Sequence, residues 1–121
     1  MATFSKVKLS ESTLGKAILV GATTTPGTSI HTTLVSATTI DEVWLYAVNT
    51  DTASKKLTIE WGGVTSPTDL IEFTVQPENG LYVVIPGLIL LGDGTTGTPI
   101  RAWCATASVV TITGYVNRIA S

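Results

Sequence analysis

The sequence holds one cysteine, one histidine and one methionine, and it carries little charge. With Cys104 as the single thiol, no intrachain disulfide can form. Set in IRAWCATA, it reads as a small buried hydrophobe. One Cys and one His do not make a zinc site, which needs several such ligands. His31, in SIHT, has no spacing partner that selects a Ser-His-Asp triad. The glycine-rich stretch GDGTTGT (92–98) lacks the Lys-Ser/Thr ending of a phosphate loop and leads into no helical pattern. Its Asp93 is one carboxylate, too few for calcium. Asp69 and Glu72, three apart in TDLIEF, fall on opposite faces of a strand and so are not an acid/base pair. The expectation is a non-enzymatic chain with no metal and no cofactor.

Charge is scarce as well. Asp, Glu, Lys and Arg make up 13% of the chain, about half the ~25% of an ordinary soluble domain. The net charge of −2 argues for neither nucleic acid nor an anionic membrane as partner. Long apolar runs are missing. LYVVIPGLILLG (81–92) is broken by Pro86 and Gly87 and falls short of the ~20 residues that span a bilayer. AILVGA (17–22) is too short for a signal-peptide core. No 3.6-residue periodicity persists, so no helix is expected.

What is present is apolar and β-prone. The 121 residues suit a single domain. They are 44% apolar with a mean hydropathy of +0.38. Threonine supplies 22 of them. Its β-branch suits strands, and its hydroxyl wets a face without the ordering cost of a long charged side chain. Short β-branched and aromatic runs lie at 17–21, 29–35, 42–49, 55–61, 70–75, 81–86, 99–105 and 109–117, between Gly, Pro, Asn, Asp and Ser clusters. Some eight strands in one all-β domain predict an antiparallel β-sandwich or jelly roll over 15–121. A polar N-terminal arm is expected at 1–14. Asn79-Gly80 favours a turn, and Ala105–Ser108 is read as a hairpin turn.

The strand faces are unequal in what they demand. In KKLTIEW (55–61), Leu57, Ile59 and Trp61 alternate with Lys56, Thr58 and Glu60, so one face is apolar and the other wet. In DEVWLYAV (41–48) both faces are apolar, with Val43, Leu45 and Ala47 on one and Trp44, Tyr46 and Val48 on the other. The same doubling recurs around Tyr82 and around Trp103. One face serves the chain's own core, so the other is expected to meet further subunits. Trp44, Tyr46, Tyr82 and Trp103 are the expected anchors of that contact. Residues 1–20 carry a net +2, including Lys6 and Lys8, and residues 41–78 a net −5. Lys6 and Lys8 are therefore added as contact candidates.

SIHTTLV, DEVWLYAVNTDTASKKLTIEWGG, DLIEFTVQPENGLYVVIPGLILL and IRAWCATASVVTITGYVNRI together resemble small β-rich proteins encoded among the virion structural genes of tailed bacteriophages. The likeness spans roughly 15–119. It implies a non-enzymatic virion component, best matched by a capsid decoration (cement) protein. The role so implied is a homo-oligomer, a trimer, that binds the major capsid protein on the outer shell and bridges neighbouring capsomers. A second reading, by fold analogy, is a carbohydrate-binding module of a fibre or adhesin in which surface tryptophans stack on sugars.

Overall fold

A computed structural model describes residues 2–120, and these form nine strands and no helix. The strands are β1 (Thr3–Lys8), β2 (Ile18–Leu19), β3 (Thr28–Thr32), β4 (Ile40–Asn49), β5 (Lys55–Trp61), β6 (Leu70–Val75), β7 (Tyr82–Leu90), β8 (Pro99–Cys104) and β9 (Val110–Ala120). With no helix among the described residues, none is long and apolar enough to cross a membrane. The strands assemble as two antiparallel sheets. One is five-stranded, ordered β1-β9-β4-β7, with β2 beside β1 along the same flank of β9. The other is four-stranded, ordered β3-β8-β5-β6.

The pairings nest. β5 pairs with β6, β4 with β7, β3 with β8 and β1 with β9. The chain is therefore one long hairpin doubled at residues 62–69, its successive strand pairs dealt alternately to the two sheets. Two-residue alternation fixes what each pair buries. Val43, Leu45, Ala47, Ile85, Ile112 and Val116 of the five-stranded sheet join Ile30, Leu57, Ile59, Ile100, Ala102 and Cys104 of the other in one buried cluster. Leu9, after β1, and Val20, after β2, add to it, as do Val75, Val84 and Val110. The accessible surface is 6251 Å², and a compact monomer of this mass has roughly 6,200 Å². The chain closes its core without help.

Several sequence expectations change. The polar segment at 1–14 is built into the body: Thr3–Lys8 form β1 on β9, and Leu9 enters the core. Met1 and Ser121, at the outer ends of the arm and of the 15–121 domain, lie outside the described residues. Pro86 and Gly87 do not end their strand, because β7 is an edge and its register against β4 slips beside them, between Val43 and Trp44. Ala105–Ser108 is a turn, with Ser108 at φ 62°, but it is not a hairpin: it carries the chain from β8 in one sheet to β9 in the other. Thr58 and Glu60, expected on a wet face, are 0% and 1% exposed. The Gly27 amide donates to Glu60 Oε1 at 2.7 Å, so the connection entering β3 reaches this face.

Candidate functional site

No concave pocket indents the described surface. The candidate site is a sheet face, the outer side of β1-β9-β4-β7. Along β4 the alternation is complete: Asp41, Val43, Leu45, Ala47 and Asn49 are buried, while Glu42, Trp44, Tyr46 and Val48 are half-exposed on the other side. Register then lays cross-strand rows. Phe4, Ile119 and Ile40 form one; Lys6, Asn117, Glu42 and Ile89 the next; Lys8, Tyr115, Trp44 and Pro86 the third; Thr113, Tyr46 and Val83 the fourth. Phe4 is 73% exposed, Ile89 53% and Val83 47%. No layer of the described chain lies over these rows. The face left open is the one that carries Trp44 and Tyr46.

Side-chain contacts knit the face together. The Trp44 ring stacks on Tyr115, centroids 6.2 Å apart and planes 12° apart. Its indole nitrogen donates to Glu42 Oε1 at 2.9 Å, and the Asn117 amide donates to the same oxygen at 2.9 Å. These two bonds, Asn117 first, hold the Glu42 pKa below its ordinary value, so the carboxylate stays charged amid the rings. Lys6 Nζ lies 4.7 Å over the Tyr115 ring, a cation–π contact. Partial desolvation, then the Tyr115 hydroxyl, raise the Tyr46 phenol. Gly87, at φ +85°, leaves Trp44 its space, since a Cβ there would meet the ring at 2.9 Å. The result is a ladder of rings and aliphatics with Lys6 and Lys8 along its β1 edge and Glu42 in its interior.

The six residues singled out from the sequence divide. Trp44, Tyr46, Lys6 and Lys8 share this face. Tyr82 turns inward at the rim of the core, against Phe73 with centroids 5.7 Å apart, and its hydroxyl bonds the Asn79 side-chain amide. Trp103 lies on the outer side of the four-stranded sheet, in register with Thr58. There the Trp103 indole nitrogen, the Thr58 hydroxyl and Glu60 Oε2 are buried without a hydrogen bond.

One polar network escaped the sequence reading. His31 and Asp41, each 1% exposed, meet at 2.8 Å between Nε2 and Oδ2. Arg118 grips the same carboxylate through Nε at 2.8 Å and Nη2 at 3.0 Å. The Ser10 amide donates to His31 Nδ1 at 2.9 Å. That bond leaves the ring hydrogen on Nε2, from where it donates to Asp41, so both nitrogens are engaged. Burial pushes the Asp41 pKa up, but the bonds from Arg118 and then His31 outweigh it and hold it at about 2. The network ties the segment after β1 to β3, β4 and β9. Its partners lie up to 77 positions apart, so no local spacing could announce it.

No known protein family matches the chain, and no curated protein matches it.

Proposed function

We propose that the chain is a non-enzymatic capsid decoration protein of a tailed bacteriophage, a homotrimer on the outer shell that bridges neighbouring capsomers. The observation that carries this reading is the open face of the five-stranded sheet. A compact subunit sets Trp44, Tyr46, Tyr115, Phe4, Ile89 and Val83 on one open surface. Contiguous exposed apolar patches mark interaction sites, and rings at the centre of a rigid face are the usual anchors. The resemblance of 15–119 to phage virion proteins supplies the partner, the major capsid protein. Nested pairing distributed between two sheets supports the finer fold reading, a jelly-roll sandwich. Three docking points on one trimer turn modest single-site affinity into firm attachment.

Light scattering on the purified chain, followed by co-sedimentation with undecorated capsids, tests the proposal. A trimer that pellets with capsids is expected, and Trp44→Ala with Ile89→Lys should lose the trimer or the pelleting. A wild-type monomer left in the supernatant overturns it. The half-exposed Trp44 and Tyr115 rings, their planes 12° from parallel, also favour the carbohydrate-binding alternative. Glycan-dependent protection of tryptophan fluorescence from iodide would support that alternative, and an unchanged signal would remove it.

A further inference from the structure

Each sheet ends in two edges, and a bare edge invites another strand. Three of the four are blocked. β1 presents the exposed Lys6 and Lys8, and this flank of β9 is interrupted between Lys8 and Ile18. β7 slips register twice against β4 and contains Pro86 and Gly87. β3 is occupied on its free side: the Ile30 carbonyl accepts from the Glu11 amide at 3.3 Å, and the Thr32 amide donates to Ser10 Oγ at 2.8 Å.

β6 has neither the breaks nor the cover of the other edges. Its ladder to β5 runs through Leu70–Val75 in one unbroken register, with no proline, glycine or bulge. The Asp69 carbonyl accepts from the Trp61 amide at 2.7 Å. Alternate residues Ile71 and Phe73 therefore turn their backbone groups toward β5, while Glu72 and Thr74 turn theirs away. Among the described residues, no hydrogen bond from outside the sheet reaches the backbone of Glu72 or Thr74. The one charge on the strand, Glu72, is answered within its own sheet by Lys56 at 2.8 Å. Ile71 and Phe73 point inward yet remain partly exposed along this border.

We propose that β6 is a self-association edge, where two copies pair β6 with β6 antiparallel about a two-fold axis through Phe73. The strand's own sequence selects a second copy as the occupant. In the register centred on Phe73, each Glu72 faces the other copy's Thr74, so both outward residues of both strands bond. The neighbouring register centred on Glu72 sets two carboxylates directly opposite and is disfavoured. Pairing joins two four-stranded sheets into one of eight, and Phe73 against Phe73 covers the inward residues left partly bare. This border belongs to the sheet opposite the aromatic face, so the contact is independent of the decoration reading.

Sedimentation equilibrium over a range of concentrations tests it, read as the dissociation constant of the mass-doubling step. Thr74→Glu places two glutamates opposite each other and is expected to weaken that step at least tenfold. Thr74→Lys places an ammonium opposite Glu72 and is expected to tighten it. Thr74→Pro deletes an outward donor while sparing the bonds to β5, and is expected to weaken doubling with little change in the melting midpoint. Glu72→Cys with Thr74→Cys should give an interchain disulfide dimer on a non-reducing gel. Opposite shifts for the Glu and Lys variants together with the disulfide establish the edge contact, and a folding defect cannot mimic opposite signs. Absence of doubling in wild type, equal behaviour of the two charge variants, or failure of the cross-link overturns it. Capsid co-sedimentation by the Thr74 variants reports separately on the decoration reading.

Discussion

Asp41 shows how much one buried carboxylate can be made to matter. Its pKa is lowered from 3.8 to about 2, a difference worth about 2 kcal/mol. Because the folded value is the lower one, the unfolded chain takes up the proton first. The contribution is whole above about pH 4 and disappears as pH falls toward 2. Denaturant titrations at pH 5, 3 and 2 should show this acid-side loss, and Arg118→Ala should flatten that part of the profile. The same variant strands a buried charge and should cost about 3–5 kcal/mol at neutral pH. Thr58 should behave in the opposite sense. Its hydroxyl is fully buried without a partner, so Thr58→Val keeps the β-branch and removes the orphan. A gain of about 1 kcal/mol in unfolding free energy is expected; a loss would mean that the hydroxyl is bonded after all. Neither residue declared itself in the sequence. Asp41 found its partners across the fold, and Thr58 sat in a clean alternating run that promised a wet face. The alternation correctly put Thr58 opposite Leu57 and Ile59, but it could not show that this side would be closed off.

At the scale of elements, the tightest fit is between β4 and β9. Gly114 lies opposite Leu45, and a Cβ at that position would stand 2.0 Å from the Trp44 carbonyl oxygen. No flexible side chain can yield there, because the obstacle is backbone. Gly114→Ala should separate the two central strands locally and cost several kcal/mol, read as a lowered melting midpoint and faster amide exchange along Val43–Ala47. How readable each element was followed from how it is buried. β4 and β5 were plain because a central strand with a continuous inner face carries a regular two-residue rhythm. β1 is not legible in the sequence because TFSKVK sits on an edge with only Val7 partly buried, so nothing in its composition asks for a sheet. The sequence pattern ends β7 at Pro86, because it does not distinguish an edge, where proline is tolerated, from a centre. Its slipped register also buries Val84 and Ile85 in succession, which breaks the phase that had placed Tyr82 on the outer side.

At the scale of the whole molecule, low charge and high hydropathy raised the question of what a second apolar face would meet. The chain's accessible area is ordinary for its mass, so association is not needed to complete the fold. The excess lies in the kind of surface exposed, with aromatics and aliphatics in adjoining rows. Lys6→Glu should leave stability nearly unchanged, as expected of an exposed cation, while weakening any assembly built through this face. Melting curves and particle mass measured side by side would show whether the two properties separate in this way. A parallel fall in both would place Lys6 in the fold rather than in the contact.

Nested pairing also ranks the strands by the chain length each must close. β5 and β6 meet across only the loop 62–69, whereas β1 and β9 can meet only after nearly the whole polypeptide has been gathered between them. Closure entropy grows with the span enclosed, so order is expected to spread outward from the middle of the chain, with the terminal strands docking last and fraying first.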